Sequence, residues 1–582
     1  MSLNPQQLAA IQSNQNTLII AGPGTGKTHT IISRTNYWIE QGIAPQKFLL
    51  LTFTNKAASE MQTRLQQPHT TASTIHSFCF QLIKDSHTYQ NEPLPQLINQ
   101  SDQLEIFKKL DIKIKTNTIN QISLSKIGLN TDSKDIQPFL RSYNAYLKQH
   151  QFIDYDDLLI MGESVLKNAR NLLSPKLRQR LQNIQQILVD EFQDLNQIQY
   201  NIVRHIYQIN TGEVTITAVG DPKQGIYAFR GSYPQIFDQF TADYHPKTFT
   251  FTTNYRSNQS ILDTYHLLFP QSPNLQTYAT QTYTSTSPSF HDKVFHIHTH
   301  DDKTEAFWII RSIKALLSQD PIPINISNYI IEYPVALKDI IVSYRNYQSI
   351  RTIAKKLDTT SLPYTVISQK KWLEYDQIKT LVKQLSLLQY PQNTTIKPHL
   401  TLKNLINQTI FDNLQIKPQE LPQNYRLWRI SELANSFGSK PWPTTLPLFL
   451  DQINLWQQED TYDSNADKLR LMSIHRTKGL EAKIVFFVGL ENGIIPHQKV
   501  LDSDKPEQIA QERNLLYVAL SRAQHHLFFT TTDYRFGQKS TPSPLLSELN
   551  SHTYQTIQDP LAQKYAQQQH LRKLKNSQSS LF

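Results

Sequence analysis

The stretch Thr17–Glu40, TLIIAGPGTGKTHTIISRTNYWIE, decides the fold. An apolar run ends in a glycine-rich loop, and a helix-forming run follows it. Strand, glycine turn and helix together open an α/β unit, and AGPGTGKT (Ala21–Thr28) has the pattern of a phosphate-cradling loop. Backbone N–H groups of Ala21, Gly22, Pro23's neighbours Gly24 and Thr25, and Gly26 can face phosphate oxygens at the helix start. Pro23 has no N–H and shapes the turn. Lys27 can neutralise the β and γ phosphates of a nucleotide, and the Thr28 hydroxyl can take one Mg²⁺ position.

The same rhythm continues outward. FLLLTFTNKAASEMQTRL, QQILVDEFQDLNQIQYNIVRHIY and EVTITAVGD each open on an apolar strand. A second set begins near residue 292 with VFHIHTH and runs through DIIVSYR, LRLMSIH, KIVFFVGL and HHLFFTTT. Apolar strands separated by helices imply parallel sheets buried on both faces. The expected class is therefore α/β, with two parallel-sheet domains, each interrupted by a mainly helical insertion. Residues 1–87 and 161–270 form the first domain, and 88–160 its insertion. A connector at 271–291 leads to the second domain, 292–390 and 466–550, interrupted by an insertion at 391–465. A flexible basic tail at 551–582 ends the chain.

ILVDEFQD (Ile187–Asp194) supplies the second half of the phosphate site. Its strand delivers Asp190 and Glu191 to the carboxyl edge, where α/β sheets bind ligands. Asp190 would hold Mg²⁺ with Thr28, and Glu191 would polarise an attacking water.

The chain has 582 residues, a net charge of +10 and one cysteine, Cys79. That length implies several folded units. The lone cysteine excludes an internal disulfide framework and a cysteine-cluster metal site. The positive charge favours a polyanionic partner. No signal-like N-terminus and no long apolar run is present, so the expected location is the cytoplasm, without a membrane partner.

These motifs, in their order, resemble the UvrD/Rep/PcrA branch of superfamily 1 helicases. LNPQQ, LTFTNKAASEM, STIHSF, DYDDLL, LVDEFQDLNQIQY, VGDPKQGIYAFRG, TTNYRS, IIVSYRNYQSIR, LMSIHRTKGLEAKIVFFVGLENGIIPH and QERNLLYVALSRA carry the resemblance through both α/β domains. It implies two RecA-like domains, ATP and Mg²⁺ as cofactors, and movement along single-stranded DNA in the 3′-to-5′ direction. By the same resemblance Gln7 reads adenine, Tyr344 stacks on it, and Glu481 meets the ribose. Gln224 touches the γ-phosphate, and Arg345 and Arg522 reach it from the second domain. Phe53, Thr54, His76, Tyr227, Phe229, Arg230 and His475 contact DNA.

The chain departs from the family pattern at Pro222, Lys223, Gly225 and Phe229, where its loop is closer to RecB/AddA-like relatives. SQKKWLEYDQIK lacks the usual glycine pair, although Glu374 and Ile378 remain. The second insertion is short, so two readings stand: a helicase acting in repair, replication or recombination on single strands and single-strand/duplex junctions, or an ATP-switched, single-stranded DNA-binding translocase that lacks processive unwinding without a partner. Gln578–Phe582, QSSLF, resembles the peptide that bacterial sliding clamps bind. A monomer or weak dimer is expected.

Overall fold

Thr17–Ala21 forms β1, and all of it is buried. The computed structural model describes residues 3–65, 67, 69–112, 118–129, 136–233, 235–269, 283–286, 294–322, 331, 333–367, 376–388, 399–421, 425–435, 437–454, 466–503 and 505–558. The expected connector and tail lie largely outside these residues, as do Glu374 and the QSSLF peptide.

β2 (Phe48–Thr52), β3 (Thr71–Thr74), β4 (Gln96–Leu97), β5 (Phe152–Ile153), β6 (Gln186–Val189), β7 (Thr215–Gly220) and β8 (Lys247–Phe251) follow. Six of these strands form a parallel sheet in the order β3-β2-β6-β7-β1-β8. β9 (Thr253–Asn254) and β10 (Thr284–Ser285) pair beside it. The second sheet contains β11 (Val294–Asp301), β12 (Ile340–Tyr344), β13 (Tyr364–Ile367), β14 (Leu469–Ser473), β15 (Ala482–Val488), β16 (Ala523–Arg535), β17 (Gln538–Lys539) and β18 (Tyr554–Gln558). Its order is β13-β14-β12-β15-β16-β11-β18, with β17 antiparallel to β16 and the rest parallel.

Side-chain alternation explains why the strands read as continuous apolar runs. Leu18, Ile20, Leu49 and Leu51 enter one core, while Ile19, Ala21, Phe48 and Leu50 enter another on the opposite face. In the second sheet Ile341, Val485 and Phe487 face one core, and Ile340, Val342 and Phe486 the other. A strand covered on both faces keeps no polar side.

The insertions have their own apolar cores. Ile98, Ile106, Phe107, Ile122 and Leu140 gather in the first, which the short β4–β5 ladder closes. Its expected limits cut two helices, Ile75–Gln90 and Tyr155–Lys167, whose Cys79, Leu82, Leu159 and Val165 belong to the core of the first sheet. The second core joins Leu402, Leu405, Ile406 and Phe449 to Ile378, Leu381 and Leu385 of helix Asp376–Leu387, so that unit begins before residue 391. One expectation is corrected outright. Residues 554–558, placed in a flexible tail, form β18 and pair with β11, because Ile557 is buried in the core of that sheet.

Candidate functional site between the two sheets

The glycine loop follows β1, and helix Lys27–Glu40 begins behind it with Gly26 as its N-cap. No side chain caps that end, so its N–H groups are left for a ligand. Gly24 has φ +73, and a Cβ there would collide with Arg256 and Asn254. Lys27 Nζ donates to the carbonyls of Ala21 and Gly22 at 3.0 and 3.1 Å. Burial pulls its pKa down, against the pull of Glu191, Asp221 and Asp190. Gln7 donates from Nε2 to the Thr25 carbonyl at 3.1 Å, which fixes the loop from below.

Asp190 and Glu191 stand at the carboxyl end of β6. Glu191 has φ +49, a left-handed conformation uncommon outside glycine and typical of a strained functional turn. Burial and the neighbouring Glu191 push the Asp190 carboxyl above its ordinary range. For Glu191, burial acts upward, but Lys478 and Lys27 outweigh it and hold the carboxyl low. Thr28, Asp190 and Glu191 line one cleft of about 170 Å³, together with Phe53, Thr54, Asp194, Tyr227 and Lys478. Hard oxygen donors beside a phosphate cradle suit Mg²⁺. Among the described residues no cluster of three His, Cys, Asp or Glu could hold an ion alone.

Gln224 joins the two sheets. Its Oε1 accepts from Arg522 Nη2 at 3.2 Å, and its Nε2 donates to Asp221 Oδ2 at 2.8 Å. Tyr517 Oη also donates to Asp221, and Asn514 Nδ2 donates to the Gly225 carbonyl. Lys478 Nζ reaches both Asp194 oxygens and the Gln224 carbonyl, each at 2.7 Å.

Three to five residues beyond Gln224, at Tyr227 and Phe229, the same loop carries its rings. Tyr227 stacks on Phe53 with centroids 4.9 Å apart and an 18° angle between planes. Arg230 and Lys478 lie over the Tyr227 ring as well, leaving it 7% exposed. Phe229 is 41% exposed, its edge toward His475. Phe229, not Tyr227, therefore offers the open stacking face in this arrangement. Burial, followed by Arg345, Arg476, Arg230 and Lys478, drives the His475 imidazole down to about 3. His76, lowered to about 4 by burial and then Arg230, lines an adjoining cavity of about 230 Å³ with Phe53, Tyr155, Arg230 and Arg476. Thr54 accepts from Ala57 N and lies in the wall of the cleft.

Two expected nucleotide residues are not brought to the glycine loop. Tyr344 ends β12 and is buried in the core of the second sheet. Arg345 forms a two-pronged ion pair with Glu512 and faces His475 and His497. β12 is paired with β14 and β15, so its end lies beside that of β14, which leads directly into the turn that carries His475.

Another tyrosine–arginine pair occupies the nucleotide side. Tyr255 N donates to the Gly24 carbonyl at 2.8 Å, and Asn254 Nδ2 donates to that of Pro23 at 2.6 Å. Tyr255 Oη accepts from Asn4 Nδ2, beside Gln7. Arg256 Nε donates to Glu481 Oε2 at 2.6 Å, and its charge acts on both Lys27 and Arg522. Sequence reasoning missed Tyr255, Arg256, Asn254 and Lys478. The signal for the first three was TTNYRS itself, which follows β8, the neighbour of β1.

Comparison with known proteins bears on this geometry. The family profile of the UvrD/REP helicase N-terminal domain matches residues 3–245, and that of the UvrD-like helicase C-terminal domain matches 249–420 and 397–534. The chain is 27% identical to an ATP-dependent DNA helicase Rep from Buchnera aphidicola subsp. Schizaphis graminum, over 96% of this chain and 98% of that protein. It is 26% identical to the putative ATP-dependent DNA helicase YjcD of Bacillus subtilis, over 94% and 81%. It is 24% identical to the ATP-dependent DNA helicase PcrA of Staphylococcus aureus, over 97% and 89%.

Proposed function

The chain belongs to the UvrD/REP helicase family and is an ATP-dependent DNA helicase of that type, and from that premise we propose how its residues divide the work. The observation that carries the reading is the loop Asp221–Gly231. One end holds Gln224 against Arg522, and the other holds Phe229 beside His475. A short loop that touches a phosphate-facing arginine and an open ring can link hydrolysis to base grip.

Lys27 and the loop N–H groups cradle the phosphates, releasing the carbonyls of Ala21 and Gly22 that Lys27 now holds. Thr28 and Asp190 would hold Mg²⁺, which supplies charge neutralisation on the phosphates. Glu191, kept ionised by Lys478 and Lys27, orients and accepts a proton from the attacking water. Arg522 and Arg256 stand where charge develops on the transferred phosphoryl group. Tyr255 faces the adenine end beside Asn4 and Gln7. Glu481 meets the ribose.

On the strand side Phe229 stacks on a base, with Phe53, Thr54, His76, Tyr227, Arg230 and His475 around it. Stacking contributes about 1–3 kcal/mol per base and tolerates any sequence. Alternating closure of the two sheets would step the protein 3′ to 5′ along a single strand, in the cytoplasm, during repair or replication. No helix among the described residues is long and apolar enough to cross a membrane. The clamp peptide at Gln578–Phe582 and the monomeric or weakly dimeric state remain part of this proposal.

The test is ATP hydrolysis with and without single-stranded DNA, alongside unwinding of duplexes with 3′ or 5′ tails, with Lys27→Ala as control. DNA-stimulated hydrolysis and unwinding of the 3′-tailed duplex alone are expected. Preference for the 5′ tail would overturn the direction. Stimulated hydrolysis without unwinding would favour the translocase reading that the short second insertion supports.

A further inference from the structure

Helix Thr118–Lys126 of the first insertion packs against the turn Ala228–Arg230 that carries the exposed ring. Two features fix that helix. Lys126, its last residue, is buried, with Nζ 2.7 Å from Asp154 Oδ2 and 2.8 Å from Asp157 Oδ1. Tyr143 Oη donates to the same Asp154 oxygen at 3.0 Å. The other Asp154 oxygen caps helix Tyr155–Lys167 by accepting from the N–H groups of Asp156 and Asp157. DYDDLL thus acts as a two-sided bracket, one side on its own helix and one on Lys126.

The second feature is the helix end. Gly128 has φ +77, Gly128 N donates to the Ser125 carbonyl, and Leu129 N donates to that of Leu124. Those two bonds form a Schellman cap, which leaves the following side chain in one direction. That side chain meets Gly231. A Cβ at Gly231 would press into Leu129 Cδ1 and lie 3.1 Å from Ile127 Cδ1, so both side chains rest directly on the glycine. Gly231 follows Phe229 and Arg230 directly and has φ +87. Leu129 is 48% exposed, so burial alone does not account for its seat on the loop.

We propose that the first insertion positions the ring-bearing loop: the Asp154–Lys126–Asp157 bracket and the Gly128 cap hold Leu129 on Gly231, and so fix Phe229 and Arg230 toward the DNA strand. Lys126, Asp154, Asp157 and Leu129 are positioning residues that touch neither nucleotide nor reacting water. The functional part rests on the strand-contact reading given above for Phe229. The mechanical part does not. Movement of Gln224 during hydrolysis would reach the insertion through this contact, and movement of the insertion would reach the loop.

The test measures amide hydrogen exchange over residues 225–232 in the full chain, for Leu129→Ala, Asp157→Asn and the double variant. Gly231 N and Arg230 N, bonded to the Ala228 and Tyr227 carbonyls, report on the loop. In each single variant they are expected to exchange about fivefold faster or more, with β7 unchanged, as local opening rather than global unfolding requires. The double variant is expected to match the faster single one, because residues on one path do not add. In parallel, ATP consumed per nucleotide travelled should rise about twofold or more in Leu129→Ala while DNA-free hydrolysis holds, since a loosened loop wastes strokes. Unchanged loop exchange in Leu129→Ala would overturn the inference, as would simple addition of the two effects. A wild-type chain whose hydrolysis ignores DNA would instead defeat the strand-contact reading, and the exchange result would still decide the mechanical claim.

Discussion

Of the tyrosine–arginine pairs Tyr255–Arg256 and Tyr344–Arg345, each at the end of a strand, only the first touches the glycine loop. Arg256→Ala should lower DNA-stimulated hydrolysis by about 10³-fold, the scale of a γ-phosphate arginine. Arg345→Ala should keep nucleotide binding and most of the hydrolysis, and should mainly disturb Glu512, which it pairs with, and His475, on which its charge acts. Steady-state hydrolysis and fluorescent-nucleotide titration of both variants separate the two. Which pair serves the nucleotide could not be read from the chain, because both follow an apolar strand and both stand in motif-like surroundings. The order β7-β1-β8 decides it, and strand order is a property of packing. By contrast Lys27, Asp190, Glu191 and Gln224 were legible, since each lies within a few residues of a strand end whose neighbours define the site. His475 gives a pH test. Its folded pKa lies below the unfolded value near 6.5, so its contribution to stability is full above that pH and is lost as pH falls toward 3. Relative to His475→Asn, the wild-type chain should lose stability between pH 6.5 and 5. The limiting slope is about 1.4 kcal/mol per pH unit, reduced because part of the ring meets solvent. Chemical denaturation at several pH values measures it.

At the scale of elements, the two insertions pack around cores separate from the sheets. Leu405 is fully buried in the second of these, among Leu381, Ile406, Leu446 and Phe449. Leu405→Ala should cost about 2–5 kcal/mol, the transfer loss plus the cavity it leaves. That loss should fall on the insertion, so calorimetry should show an early transition while hydrolysis stimulated by single-stranded DNA persists. A single transition shifted as a whole would mean that the insertion and the sheets melt together. The insertions were legible as polar, helix-patterned interruptions of a strand rhythm. Their limits were not, because helices Ile75–Gln90 and Tyr155–Lys167 look as polar as their neighbours on the outside and bury one stripe on the first sheet. β18 was missed for a related reason. A short edge strand with Gln555, Thr556 and Gln558 exposed and only Ile557 buried carries little apolar signal, and only pairing with β11 makes it a strand.

For the whole molecule, the decisive contacts cross from one sheet to the other. Arg256 reaches Glu481, Arg522 reaches Gln224, and Lys478 reaches Asp194 and the Gln224 backbone. The last of these is a buried ion pair: the side chains of Lys478 and Asp194 are almost wholly out of solvent. A buried ion pair adds little net stability over apolar packing, but losing one partner leaves an uncompensated charge. Lys478→Met should therefore cost about 3–5 kcal/mol. It should also free the Asp194 carboxyl from the cation that opposes burial, so that burial raises it further. Glu191 would lose its largest favourable charge at the same stroke, and its carboxyl should rise. The pH profile of hydrolysis should then move its acid limb to higher pH, because a general base must be ionised to act. Asp194→Asn removes the same pair from the other side, yet leaves Lys478 facing Glu191, so its acid limb should stay near that of the wild type. Parallel pH–rate profiles of the two variants thus distinguish a bridge that merely fastens the sheets from one that also tunes the catalytic carboxylate. If both variants shift alike, the loss follows from domain separation, and Lys478 has no electrostatic part in hydrolysis.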